Sequence, residues 1–552
     1  MHKIFFKYKA LNLHLKLLFA TLIIGYQAGF SQVFQQQCNP ETFEVDTTGN
    51  EINWEQFPDF SLPFTVIYHG DAPSDSVLHP LHKGFSHIGG AGIDYTDTVW
   101  PDQRVYTWTN IANANGWAAA TNQPWRMIKS PWENNIDGYR EQWNEHLIWI
   151  WNNWYKYNTP NEEKRFDIVI ADIEWAFHND DDILSIKYNP FVPLYYQELS
   201  DSAFIAEYKI AMAEMYAQPL QLARDILHPD VILSTYNETP IRRTWTLIDD
   251  YSWEQWISDS SLVDYLMNDS SGFMNSYFYR LNDMIAPSVY YYHNPDSIPA
   301  GLKYLASNLF NLEVNRAWSS KDQLVYVWLN YHPCCSNMEA IKPWMAEATA
   351  IFPFMDGAYG IYPWLPVSYD SYEYFIYGLY RLSAFSDMFY GTQTYVIPVP
   401  AHYSFIHQTP IWRGVVKGDE ILIAAHNPFA GIDDTTLIPV SYNGWSDTIG
   451  LVGKETFLCK FDLNTTGIEH PAFSGTEITI FPNPSHDHVV IEGNLSGCTL
   501  SVYDPYGKVV RQRFAAKLPV KISISDLAKG VYLLKIKSRD FNKPLTRKLI
   551  KI

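Results

Sequence analysis

The chain has little of what most often marks a chemistry in sequence. Its 552 residues hold five cysteines, Cys38, Cys334, Cys335, Cys459 and Cys498, an odd and scattered set from which no disulfide framework or zinc spacing follows. The adjacent Cys334 and Cys335 fit either a vicinal disulfide or two separate thiols. No glycine-rich phosphate loop, nucleophile elbow or metalloprotease helix motif is present, which removes the usual support for nucleotide chemistry, serine-based acyl transfer and zinc peptidase activity. The acidic run at 178–182 lacks the ligand spacing and turn glycine of an EF-hand loop. It reads as a solvated loop, and neither a metal nor an organic cofactor is expected. Basic residues are outnumbered, 40 Lys plus Arg against 60 Asp plus Glu, for a net charge of -20. Neutralising phosphates needs clustered Lys and Arg, so no nucleic-acid partner is expected. No apolar run reaches the ~20 residues that a bilayer core requires, and no transmembrane segment is expected.

What is abundant is apolar and aromatic material. Apolar residues make up 47% and aromatic residues 16%, with 20 Trp, enough for a large core and for flat stacking surfaces besides. A chain of this length divides into several domains. At the N-terminus Lys3, Lys7, Lys9 and Lys16 precede an apolar run at 17–25, and the small Gly29 and Ser31 stand where a signal peptidase reads. Residues 1–31 are expected to be a cleaved secretory signal. At the other end, residues 471–552 hold 13 Lys plus Arg against 6 Asp plus Glu, a balance of +7 on an otherwise acidic chain. Such a step in charge marks a separate module.

That module reads as short alternating strands punctuated by Gly and Pro, a small β-sandwich. Its segments "FPNPS", "SVYDPYGKVV", "ISDLAKGVYLLKI" and "RKLIKI" resemble the type A C-terminal sorting domain of the Bacteroidota type IX secretion system. The resemblance implies an Ig-like β-sandwich that engages the type IX machinery, and delivery across the outer membrane to the medium or the cell surface.

Residues 32–402 repeat one theme: a short β-branched or aromatic run, a turn-forming loop, then a helical stretch. Eight such runs occur, at 64–69, 85–93, 125–130, 166–174, 231–238, 286–293, 324–332 and 358–364, with amphipathic helical stretches at 139–155 and 203–227. Strand–helix alternation in eight units predicts an α/β fold, a (β/α)8 TIM barrel. Residues 403–465 turn to strands, with a turn at Asn443-Gly444, and are expected to form a small accessory β-sandwich.

In such barrels the reacting groups project from the C-terminal ends of the strands. Asp172 and Glu174 lie two apart at the end of the fourth run, so both are expected on one face, with Ala171 and Ile173 on the other. Glu238 ends the fifth. Adjacent strands lie ~4.8 Å apart, which would bring Glu238 and Asp172 within the ~5–5.5 Å that a retaining glycosidase requires. The expected roles are Asp172 as nucleophile, Glu238 as general acid and base, and Glu174 as the group that separates their pKa values. Around them Trp175, Tyr236, Tyr290, Tyr292, Trp328 and Trp364 offer stacking faces for sugar rings, while Asn237, His293, Asn330 and His332 offer hydrogen bonds to hydroxyls. Arg242 and Arg243 form a fork suited to a sulfate or carboxylate on the sugar; a solvated helix start is the plainer reading.

The stretch "FDIVIADIE" is similar to the fourth-strand motif of family 18 chitinases and of hyaluronidases, which implies Glu174 as acid and Asp172 as its helper. The family 18 pattern carries a further Asp where Ile170 stands. Asp on the fourth strand with Glu on the fifth is instead similar to α-retaining barrels, including amylase-like enzymes and the endo-fucanases of glycoside hydrolase family 168. The expectation is an exported glycoside hydrolase, endo-acting and retaining, on a polysaccharide, with an anionic glycan such as sulfated fucan among the expected substrates. A surface carbohydrate-binding protein without catalysis is the rival from another class.

Overall fold

The computed structural model describes residues 37–38, 45–47, 51–69, 78–89, 99–108, 131–132, 164–173, 178–190, 192–242, 244–290, 292–331, 339–364, 369–432, 434–464, 479–481, 483, 485–492, 496–504, 509–538 and 545–552. The expected signal segment, the helical stretch at 139–155 and the Cys334-Cys335 pair lie outside them. The chain divides into two compact units, Met1–Asn464 and Thr465–Ile552.

Parallel strands form the heart of the first unit: β1 (Thr65–His69), β2 (His87–Gly89), β3 (Arg104–Trp108), β4 (Ile168–Ala171), β5 (Ile232–Thr235), β6 (Leu324–Val327) and β7 (Gly360–Pro363). Their order is β5-β4-β3-β2-β1-β7-β6, every pairing parallel. Residues 284–289 close the ring between β5 and β6. Tyr236 bridges Ala286 and Ser288 bridges Tyr326, both in parallel, and the Tyr326 amide donates to the Pro287 carbonyl at 2.9 Å. Pro287 has no N–H to give, which is why this eighth position is a set of bridges and not a continuous ladder. The chain therefore has the TIM-type α/β barrel that its strand–helix alternation predicts.

One of the eight expected runs is corrected. The third place in the ring, between β2 and β4, belongs to Arg104–Trp108, which pairs with Ile88-Gly89 on one side and with 168–171 on the other. The run at 125–130 lies outside the described residues. β3 is short and opens on a charge, but Arg104 is buried, its Nε donating to the Val99 carbonyl at 2.8 Å.

Side-chain alternation separates two cores. Ile67, Val105, Ile168, Ile170, Ala286, Leu324 and Tyr326 fill the barrel interior. Val66, Tyr68, Tyr106, Val169, Ala171, Leu233, Val325 and Ile361 face the helices. Among these helices are α1 (Asp201–Ile226), α2 (Tyr304–Trp318), α3 (Pro343–Met355) and α4 (Tyr369–Ser383). Ser200 starts α1 by accepting from the Ala203 amide at 3.3 Å, a polar cap on an otherwise unsatisfied end. Each fully buried aliphatic side chain of these two layers contributes roughly 1.5–3 kcal/mol.

An antiparallel sheet follows, in the order Gln37–Cys38, Thr456–Asp462, Glu420–His426, Ile411–Lys417, Thr394–Val396. Hairpin Thr435–Tyr442 and Trp445–Val452 packs on it through Ile423, Val440, Ile449, Leu451 and Phe461. Asn443 and Gly444 join the hairpin at φ 44° and 90°, both positive as a two-residue type I′ turn requires. Cys459 is disulfide-bonded, and Cys38 is its direct antiparallel partner, a spacing that a disulfide spans. Under this sheet Arg413 is buried with its Nε 3.0 Å from Asp356 Oδ1 and its fork also on Glu313 of α2.

The second unit is a β-sandwich. Strands Thr479–Phe481, His488–Glu492 and Val520–Ser523 form one sheet; Val509–Lys517, Ser496–Tyr503, Gly530–Ser538 and Leu545–Lys551 form the other. Val489, Ile491, Leu500, Val502, Leu534, Ile536 and Leu549 meet between them, and Cys498 is buried in the same core.

Candidate active site

Inward parity at the strand ends defines the barrel mouth. Along β4, Ile168 and Ile170 face the interior, while Val169, Ala171 and Ile173 face the helices. Asp172 continues the inward row. Burial, then neighbouring tyrosines and the Asp172 charge, holds the Tyr290 and Tyr326 hydroxyls well above the usual phenol range. A carboxylate is thus set among phenols at the end of a parallel strand, a costly placement unless it serves a purpose or is well satisfied.

Several other inward positions are aromatic. Tyr290 stacks on Trp328 at 3.9 Å and 11°, and Tyr292 meets the edge of Trp328 at 5.6 Å. Tyr236 lies 4.8 Å from Tyr326 and donates its hydroxyl to Ser288 Oγ at 3.0 Å. Trp364 lies 5.9 Å from Tyr326 and 5.5 Å from Tyr362. Asn330 is 3% exposed just beyond β6, in a two-residue strand paired with Glu339–Ala340. Tyr236, Tyr290, Tyr292, Trp328 and Trp364 are therefore brought to one mouth with Asp172, whereas His293 is exposed. Glu174, Trp175, Arg243 and His332 lie outside the described residues.

At Glu238 the simple alternation of the strand is interrupted. Asn237 stands at φ 57°, a left-handed conformation that interrupts the alternation after the inward Tyr236. The next side chain turns toward the helix layer. Glu238 is fully enclosed, its Oε2 2.6 Å from Arg242 Nη1. Arg242 also approaches Asp264 Oδ2 at 3.8 Å and donates to His178 Nε2, whose Nδ1 is 2.7 Å from Asp264. Burial opposes it, but His178 and Arg242 hold the Asp264 carboxyl below its ordinary range. The loop carrying Glu238 and Arg242 is tied to α2: Asn315 accepts from the Ile241 amide at 2.8 Å, and Asn311 donates to Thr244 at 2.7 Å. Arg242 is thus committed to two protein carboxylates rather than to a sugar's anion.

Sequence reasoning passed over His69, Gly89, Thr107, Tyr326 and Tyr362, all on the inward face of the ring. His69 Nδ1 lies 2.9 Å from the Tyr362 hydroxyl. The usable signal was the period-two rule extended to the ends of β1, β3 and β7.

Comparison with known proteins bears on the second unit most directly. Residues 479–552 match the secretion system C-terminal sorting domain. The chain is cargo of the type IX route, exported to the cell surface or beyond it. No helix among the described residues is long and apolar enough to cross a membrane. A search of the curated proteins finds none that matches. Among solved structures, a bee venom hyaluronidase is 14% identical at a TM-score of 0.35, covering 58% of this chain and 99% of its own. An endo-β-1,4-mannanase from Thermotoga petrophila is 9% identical at 0.33, covering 89% and 97%. A β-glucuronidase from Parabacteroides merdae is 8% identical at 0.29, covering 89% and 62%. Likeness at these TM-scores carries no argument, and the fold rests on the strand pairing itself.

Proposed function

We propose that the protein is an exported glycoside hydrolase whose barrel mouth binds and cleaves a polysaccharide, with Asp172 at the reacting centre. The observation that carries this reading is an inward carboxylate at the end of a barrel strand, ringed by the aromatic side chains Tyr236, Tyr290, Trp328 and Trp364. Sugars offer apolar ring faces to such walls and an anomeric centre that a carboxylate stabilises as positive charge develops. Of the two mechanistic readings open in the sequence, the burial of Glu238 against Arg242 favours the Asp-x-Glu one. In it Glu174 is the general acid, and Asp172 orients the substrate or stabilises the cationic transition state. The same ion pair argues against Arg242 as a sulfate ligand, so an uncharged or weakly charged stretch of polysaccharide is the substrate class favoured at this mouth.

Reducing-end release from hyaluronan, chitin, β-mannan, starch and sulfated fucan tests the proposal. Turnover of at least one polymer is expected, and Asp172→Asn and Glu174→Gln should each reduce it by about 10²–10⁴-fold. Binding of a polymer without release of ends by the wild type would instead make the protein a carbohydrate-binding module.

A further inference from the structure

We propose that His69 is a positioning residue of this mouth, fixing the Tyr362 hydroxyl and with it the aromatic wall next to Asp172. The inference rests on the glycoside hydrolase reading and adds a residue that lies outside its carboxylate pair.

His69 closes β1 on the inward side, two residues after Ile67, which packs in the barrel interior. It is half-buried, with Nδ1 2.9 Å from Tyr362 Oη and its ring 4.3 Å from Trp364. Tyr362 comes from β7, the neighbour of β1 in the ring. Its hydroxyl has room there only because residue 89 lacks a side chain. A Cβ on Gly89 would stand 2.3 Å from Tyr362 Oη and 2.9 Å from the Ile67 methyl. Glycine weakens a strand interior, so it marks a site where another group must come close. The Tyr362 ring lies 4.8 Å from Tyr326. The Tyr326 hydroxyl is buried near Thr107 and stands in the field of Asp172. Contact thus passes from His69 on β1 through Tyr362 on β7 to Tyr326 on β6, whose hydroxyl lies in the field of Asp172.

A purely space-filling core needs none of these polar atoms, each of which must be satisfied once buried. Placed at the open end of the ring, an imidazole that holds a phenol in one orientation fixes the aromatic wall against which a polyhydroxylated ligand would lie. Such fixed geometry is what a displaced catalytic group loses.

The test uses the full chain and the polymer that gives most release in the panel above. Steady-state kcat and KM are measured for wild type, Asp172→Asn, His69→Ala, His69→Asn, His69→Gln, Tyr362→Phe and the His69→Ala/Tyr362→Phe pair. Asparagine keeps a polar atom where Nδ1 sits, and glutamine places it where Nε2 sits. His69→Ala and His69→Gln should lower kcat by about 10- to 100-fold with KM within about twofold, while His69→Asn retains most of the rate. Tyr362→Phe should match His69→Ala, and the double variant should be no worse than either, as coupled residues behave. Should the alanine variant misfold, the asparagine and glutamine variants still decide, since both fill the space. Equal kcat in those two, with Asp172→Asn inactive, overturns the role of His69 and leaves the enzyme reading standing. Absence of release by the wild type from every polymer overturns the enzyme reading, and the role of His69 with it.

Discussion

Arg242 holds Glu238 at 2.6 Å from a position four residues further along the same loop, and so keeps that carboxylate on the helix side of the barrel wall. Asp172, by contrast, lies with Tyr290 and Tyr326 in the interior. Two acids at the ends of adjacent strands therefore have different surroundings. One is part of an enclosed network of Arg242, Asp264 and His178; the other sits among the phenols of the barrel interior.

Removing one partner of a buried ion pair leaves an uncompensated charge, which costs about 3–5 kcal/mol. Arg242→Leu should destabilise the first unit by that amount in chemical denaturation. Glu238→Gln should lose less, because Arg242 retains Asp264. The folded Glu238→Gln protein should turn substrate over within about threefold of wild type. Loss of turnover without loss of stability would return Glu238 to the reacting centre.

A second expectation concerns Cys38 and Cys459. They stand opposite each other in an antiparallel pair, and Cys459 is disulfide-bonded. Proteolysis without reductant should release a linked peptide containing both cysteines, which separates on reduction. Cys38→Ser should lower stability by about 2–4 kcal/mol. Recovery of Cys38 as a free thiol from the exported protein would contradict the pairing.

The barrel was legible where period-two alternation ran uninterrupted. Val66, Ile67, Tyr68 and His69 sort to alternate faces as their order predicts, and so do 168–173, which is why the inward placement of Asp172 could be read. β3 was missed because five residues beginning with Arg carry too weak an apolar pattern to stand out. The pairing of Glu238 with Arg242 was not legible for a different reason. Nothing in "TYNET" announces that Asn237 takes a positive φ, and one such residue reverses the face of the next. His69 was overlooked because a lone histidine at a strand end usually has a local partner. Its partner, Tyr362, lies 293 residues away in sequence.

Asp356 gives a pH dependence of known sign. Burial, then the Glu313 charge, pushes its carboxyl up to about 7 against the pull of Arg413 and Arg316. A carboxyl raised in the folded state binds more protons there than in the unfolded chain, between the ordinary carboxylate range and about 7. Its contribution to stability is present below that range and is lost as pH rises through it. Thermal unfolding of wild type between pH 5 and 8, compared with Asp356→Asn, should show a fall with pH that the variant lacks. Parallel curves would show that Asp356 is ionised throughout.

The two compact units, Met1–Asn464 and Thr465–Ile552, each have a core of their own. Separate cores predict separate folding, so a chain ending at Asn464 should keep the unfolding transition and the turnover of the intact first unit. Export is a different matter, because the sorting match covers 479–552 alone. Fractionation should find the shortened chain folded but retained inside the outer membrane. The same C-terminal unit fused to an unrelated periplasmic protein should carry that protein to the surface or medium. If the shortened chain instead aggregates or loses turnover, the second unit supports the first, and its role is not confined to delivery.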